Sequence, residues 1–324
     1  MERRDLLKCL IAAAALWPEC IGAQQIRNKV WRIAILHPGS LVDAHRELYS
    51  LFQEELRRLG YQEGVNTVYD QRYADDRNER LPALVEELIA SKPDVIVAVA
   101  PSAAIAAHRA TSSIPIVMWG VGEPMALGLA ASLAHPGGNV TGTSTMSDEA
   151  AAKSVELLHR LLPSAGRIAV LMSLNGSHPR LFRLMLAAAD KIGLTLIPVM
   201  SPTPTELEQA FREMAEKKVE AVVVMIDVVR EKIPQLALAS KMPALYQQSA
   251  YADMGALLCY GASQKQIGRR TAYYVDKVLK GSHPADLPIE QPITFEMTVN
   301  LKAAAALHLT IPDTILAEAD RIIE

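Results

Sequence analysis

The chain has 324 residues, half of them hydrophobic and 21% charged, with a formal net charge of −3. So mild an acidic balance leaves no electrostatic footprint for nucleic acid or for an anionic membrane surface. The length exceeds what one core usually fills, so two core-forming units are expected.

Arg3, Arg4 and Lys8 precede a short apolar run at 9–16 (CLIAAAAL), a break at Trp17-Pro18-Glu19 and small residues around Gly22-Ala23. That order reads as a secretory signal over 1–23, cleaved near Ala23. The competing reading, a buried core helix, lacks support from any amphipathic pattern. The run is also far shorter than the ~20 residues that cross a bilayer, so no membrane insertion of the mature chain is expected. Arg3-Arg4 before Leu6-Leu7-Lys8 resembles a twin-arginine leader, with the general secretory route equally open. Lipid attachment at Cys20 is disfavoured by the bulky, rigid and acidic residues 17–19. The leader's basic residues are balanced by Glu2, Asp5 and Glu19, so cleavage leaves the net charge unchanged. It also leaves Cys259 as the only cysteine, which rules out an intramolecular disulfide in an oxidising compartment.

Beyond the leader, strands and helices alternate. Residues 30–36 (VWRIAIL) read as a buried strand ending at His37-Pro38-Gly39-Ser40. Leu48, Leu51, Phe52, Leu56 and Leu59 recur at helical spacing up to Gly60. A strand at 65–73, a helix at 81–90 and a strand at 94–100 (DVIVAVA) follow. Ser102 opens an alanine-rich helix, and 114–119 form a fourth strand running into Gly120-Val121-Gly122-Glu123-Pro124. The glycine-rich stretch 135–142 ends in a short strand, after which the first crossing between units is placed. The alternation then restarts: helix 150–162, strand 167–172, helix 179–192, strand 195–200, helix 205–217 with Thr203 and Thr205 as caps, and strand 221–226. Shorter strands at 244–247 and 256–260 precede a helix ending at Lys280 and a run at 293–299. Near-continuous apolar strands between amphipathic helices specify parallel sheets covered on both faces, an α/β chain of two similar lobes.

The sequence has no phosphate loop, no H-E-x-x-H, no C-x-x-C and no G-x-S-x-G, and Gly120-x-Gly122 lacks the third glycine of a dinucleotide fingerprint. No catalytic residue, metal or cofactor is therefore assigned. His37 is the one histidine placed beside a cleft, with a solvated loop position as the favoured alternative. The candidate ligand contacts are small or polar residues just beyond strand ends, where ligands sit in parallel α/β sheets. Ser40 follows the first strand. Ser102 and Ala103 open a helix whose free N–H groups suit a carboxylate, although Ser102 reads equally well as a plain N-cap. Gly120, Gly122 and Glu123 follow the fourth strand, where the glycines also fit a tight turn. Thr141 and Ser144 flank the first crossing. In the second unit Asn175 follows strand 167–172, and Asp227 directly follows strand 221–226, positioned for a ligand ammonium or as a helix cap. Tyr246, Gln247 and Tyr260 end the last two strands, where a tyrosine serves a cleft wall or packs at a hinge.

Residues 114–117 (IPIV) and 120–142 (GVGEPMALGLAASLAHPGGNVTG) resemble the signature of the ABC-transporter substrate-binding family that includes tryptophan- and phenylalanine-binding lipoproteins. Further likeness lies in 157–171, 274–300 and 301–323, so it covers nearly the whole chain. The resemblance implies a type I periplasmic binding protein: two Rossmann-like lobes, a three-segment hinge and a ligand between them. The expected division is 31–143 with 263–289 for one lobe and 144–262 with 290–324 for the other. Glu123 stands where many members have aspartate, and 175–178 lacks their Asn-Pro pair, so the ligand is not carried over. The expected function is periplasmic capture of a small organic solute, an amino acid or other carboxylate, by a monomer that delivers it to an ABC permease and its ATPase. The alternatives are a sensor docking on a receptor kinase and a double-Rossmann enzyme.

Overall fold

The computed structural model describes residues 29–41, 43–145, 147–174, 178–201, 203–225 and 230–324. The leader, Asn175 and Asp227 lie outside the described residues. Five parallel strands form the first sheet: β1 (Trp31–His37), β2 (Thr67–Tyr73), β3 (Val95–Val99), β4 (Ile116–Trp119) and β5 (Val140–Gly142), in the order β2-β1-β3-β4-β5. Helices α1 (Asp43–Arg58), α2 (Leu81–Ala90) and α3 (Ala100–Ala110) connect them.

Strand alternation sorts the apolar residues to two faces. Ile33 and Ile35 of β1 pack with Phe52 and Leu56 of α1, whereas Ala34 and Leu36 pack with Leu84 and Leu88 of α2 and Ala104 of α3. Both faces are covered, which is why these strands read as unbroken apolar runs.

The second sheet carries β6 (Arg167–Met172), β7 (Thr195–Met200), β8 (Ala221–Met225), β9 (Ala244–Tyr246), β10 (Leu258–Ala262), β11 (Phe295–Asn300) and β12 (Arg321–Ile323), in the order β12-β11-β10-β9-β8-β6-β7. Helices α4 (Ser147–Leu161), α5 (His178–Asp190), α6 (Leu207–Glu216) and α7 (Lys232–Ala239) belong to this sheet. Two short helices, α9 (Leu301–Ala306) and α10 (Asp313–Leu316), pack beside it after α8 (Gln264–Leu279) has covered the first. β12, α9 and α10 have no counterpart in the sequence reading.

The expectation of purely parallel sheets is corrected at one pair, because β10 and β11 run antiparallel with Ala262 opposite Phe295. The cause is the chain path. The backbone leaves the second sheet at Ala262, builds α8 on the first sheet, and returns beside the point of exit, so β11 must run back along β10.

The chain passes between the sheets three times: after β5, between β10 and α8, and before β11. The passages hold one another. Ser144 N–H donates to the Glu290 carbonyl at 2.8 Å, Glu290 N–H to the Gly142 carbonyl at 2.9 Å, and Ser263 N–H to the Thr294 carbonyl at 3.2 Å.

Cys259 sits in β10 with 1% of its surface exposed, and burial pushes its thiol well above the ordinary range. A thiolate reagent at neutral pH is therefore expected to leave it unmodified in the folded protein and to modify it fully in denaturant. Rapid labelling of the folded protein would contradict this burial.

Candidate functional site

The C-terminal ends of the strands in both sheets face a common cleft of about 1120 Å³, counted out to its open mouth. The first lobe supplies an aromatic wall. His37 ends β1, Trp119 ends β4, and Tyr49 projects from α1. Tyr49 and Trp119 meet edge to face at 5.4 Å, and Trp119 is backed by Phe52 at 4.9 Å. A glycine in α8 makes room for the indole: a Cβ on Gly268 would lie 3.1 Å from its Cζ2.

Next to this wall the lining becomes backbone. Val99, Ala100 and Pro101 present the start of α3, and Gly120 and Gly122 present the loop after β4. Ala100 adopts φ +63°, a left-handed conformation that costs a residue with a Cβ about 1–3 kcal/mol. Gly120, at φ +64°, donates its N–H to Thr143 Oγ1 at 3.1 Å. The second lobe contributes Ala150, His178, Leu181 and Met225, with Gln247 and Gln248 from the loop after β9, while Gly261, Ala262 and Gln264 form the hinge side. Among the described lining residues none is Asp, Glu, Lys or Arg.

The two histidines are held in opposite tautomers. Gly39 N–H donates to His37 Nδ1 at 2.9 Å, so the neutral ring carries its proton on Nε2. His178 Nδ1 donates to the Ser173 carbonyl at 2.9 Å, so its neutral Nε2 is an acceptor. Nδ1 is thus an acceptor in His37 and a donor in His178. The Tyr49 phenol is pushed up, first by burial and then by the neighbouring Tyr73. It stays a neutral hydroxyl at physiological pH.

Of the residues singled out in sequence, the structure brings Gly120, Gly122 and Gln247 to the cleft wall. Gln247 also donates from Nε2 to Ser154 Oγ at 3.3 Å. His37 is corrected from a solvated loop position: it ends β1 and is 4% exposed. Helix α3 starts at Ala100 with Val99 as its N-cap residue, so Ser102 is not the cap and stands inside the first turn, off the lining. Ala103 is fully buried in the first-lobe core, and Tyr246 is buried in the second-lobe core against Tyr251 at 4.8 Å. Thr141 is also core, its hydroxyl donating to the Leu287 carbonyl at 2.7 Å. Ser40 lies near Asp75, 3.3 Å from Oδ1. Ser144 is buried at the first crossing, and Tyr260 stacks on Phe295 at the hinge. Trp119, Tyr49 and His178 were not selected from the sequence. For Trp119 a signal exists, since it ends the strand that runs into Gly120 and Gly122.

Contacts also bridge the lobes outside the lining. Glu123, at φ +54° after β4, approaches Arg180 of α5 with Oε2 3.3 Å from Nη1. Arg180 is already bound through both Nη atoms to Asp148 of α4, each at 2.5 Å. Asp76, from the loop after β2, has Oδ1 3.8 Å from Nε of the buried Arg230, which also donates to the Ser201 carbonyl at 2.7 Å. Burial raises the Asp76 carboxyl against the pull of Arg230. Among the described residues no cluster of His, Cys, Asp or Glu is placed to hold a metal, and no helix is long and apolar enough to cross a membrane.

A family model described as "ABC transporter substrate binding protein" matches residues 33–323. A tyrosine-binding protein of Clostridioides difficile is 27% identical over 263 residues, covering 80% of this chain and 75% of that protein. Among solved structures, the ABC domain from Streptococcus pneumonia in complex with L-Trp superposes with a TM-score of 0.83 at 28% identity, covering 91% of this chain and all of that one. The ligand-free, open structure of a substrate-binding protein with adhesive properties from Clostridium difficile gives 0.63 at 25% identity, covering 91% and 99%.

Proposed function

Because the chain belongs to the ABC transporter substrate binding protein family, we propose that it captures an amino acid with an aromatic side chain and delivers it, after export to the periplasm, to a permease and its ATPase. The observation that carries this reading is the wall of His37, Tyr49 and Trp119 at the strand ends of the first lobe. A planar ring buries apolar area against Tyr49 and Trp119 and gains the further stabilisation of stacked or edge-on aromatics. The backbone N–H groups at the start of α3 suit the ligand carboxylate, with Gly122 on the same stretch of lining. Asp227, two residues past Met225 in sequence, is the candidate partner for its ammonium. The relatives that bind tyrosine and L-Trp support the same class.

The lobes are taken as 31–143 with 263–289 and 144–262 with 290–324, divisions supported by the three crossings. The much closer match to the L-Trp complex than to the open, ligand-free structure, at like identity, supports a closed arrangement here. Closure about the three-stranded hinge would exclude water from the ligand. The protein would act as a monomer and leave its ligand chemically unchanged.

A thermal-shift and calorimetric panel of L-tryptophan, L-tyrosine, L-phenylalanine, aliphatic amino acids and aromatic acids tests the ligand class. An aromatic amino acid at ~100 times its dissociation constant should add about 2.7 kcal/mol of stability. Stabilisation by aliphatic amino acids, with none from aromatic ones, would sink the assignment.

A further inference from the structure

Glu123 was a candidate ligand contact, yet its neighbours belong to the opposite lobe rather than to the cleft lining. We infer that Glu123 is a positioning residue that drives the lobes apart: its charge opposes closure, holding the empty protein open and setting ligand affinity below what the cleft alone would give.

The geometry of three groups carries the argument. Asp148 and Arg180 both stand on the second lobe, at the start of α4 and in the first turn of α5, and are joined by two charge-assisted hydrogen bonds of 2.5 Å. That pair persists whether the lobes are open or closed, since neither partner crosses the hinge. Its net charge is zero, and the guanidinium has its best-matched carboxylate already. Closure brings a second carboxylate, Glu123, from the first lobe to a guanidinium whose charge Asp148 already balances. Its contact with the guanidinium is 3.3 Å long, against the two bonds at 2.5 Å that Asp148 holds. In this arrangement the Glu123 side chain is 20% exposed and has Asp148 as a neighbouring like charge, so closing costs it both water and repulsion. The weak contact to Arg180 does not offset the two costs. In agreement, burial and the neighbouring Asp148 raise the Glu123 carboxyl above its ordinary range against the opposing pull of Arg180. A group whose charged form is disfavoured in the closed state favours the open state by the same linkage.

The inference rests on the proposed closing motion but not on the ligand class. It predicts a sign opposite to that of an ordinary ion-pair latch. Glu123→Gln removes the charge and keeps the shape, and Asp148→Asn removes the like charge and frees Arg180 to bind Glu123. Both should shift the ligand-free protein toward closure, seen as a smaller radius in small-angle scattering. Arg180→Gln, which leaves two facing carboxylates, should enlarge it. With L-tryptophan and L-tyrosine as probes, Glu123→Gln should bind both about 2- to 5-fold tighter, mainly through slower release, the range expected for partly exposed charges.

A larger radius and weaker binding for Glu123→Gln would mean that Glu123 is a latch, and the inference falls. An unchanged radius with a loss confined to one probe would make it a ligand contact, and the inference again falls. If wild-type protein binds neither probe, the aromatic reading fails, while the radii of the ligand-free variants still decide this one.

Discussion

Replacing Gly261 by alanine is expected to abolish ligand capture and to lower stability by more than about 4 kcal/mol, in the range reserved for single substitutions that force the backbone to move. Gly261 lies in β10 on the hinge side of the cleft, and a Cβ there would stand 2.2 Å from the Gln247 carbonyl oxygen and 3.1 Å from its carbon. Both obstacles are main chain, so no rotamer change relieves them. Either β10 shifts, which disturbs its pairing with β9 and β11, or the loop carrying Gln247 and Gln248 moves out of the cleft wall. Thermal unfolding and calorimetric titration with L-tryptophan and L-tyrosine measure the two effects. Gly166→Ala is the matched control, because its Cβ would meet only Glu220 Oε2 at 3.9 Å, and a change within about 0.5 kcal/mol is expected. A Gly261→Ala protein with wild-type melting and affinity would refute the close approach of the two backbones.

The second large effect is expected at Trp119. The indole is 5% exposed, packed on Phe52 and Tyr49 and seated over Gly268. Truncation to alanine removes a buried aromatic, worth about 3–5 kcal/mol, and opens the aromatic wall. Affinity for aromatic amino acids should fall by more than tenfold even in conditions where the variant is fully folded. Trp119→Phe separates stability from recognition, since it keeps a ring in the core. It should stay folded and bind with reduced affinity. The described residues hold one other tryptophan, Trp31 at the start of β1, so a ligand-dependent change in indole fluorescence should belong to Trp119 and vanish in Trp119→Phe. Undiminished affinity in the folded alanine variant would show that the wall does not touch the ligand.

How much of this was legible in the sequence depended on what each residue's role requires. The α/β alternation could be read because strands buried on both faces must be continuously apolar, and the helices between them carry their apolar residues at helical spacing. Gly120 and Gly122 could be read because a loop after a buried strand belongs at the ligand-binding edge. The side a chain residue faces was harder to read. Tyr246 and Gln247 are neighbours, yet one enters the core and the other lines the cleft, and in a strand buried on both faces composition does not mark which is which. The role of Ser102 depended on a helix start two residues too late, since Ala100 takes a left-handed turn that alanine does not advertise. Glu123 could be placed near the cleft but not paired, because Arg180 and Asp148 lie 57 and 25 positions further along the chain, and only the packing of one lobe against the other brings Glu123 to them.

The three passages between the sheets have a consequence for the order in which the molecule can be assembled. The strands of the first sheet are complete once residue 142 has been made, but α8, which packs with α1 over Ile33, Val95 and Val117, is not available until residues 264–279 exist. Through more than a hundred residues of synthesis, that face of the first sheet stays partly bare, and the last strand of the second sheet arrives later still. Contacts of such long sequence separation form slowly and late. A nascent chain therefore cannot finish its first half before its second half exists. Folding to completion is a property of the full-length chain, and the unfinished chain is the form that must be kept from aggregating until its end emerges.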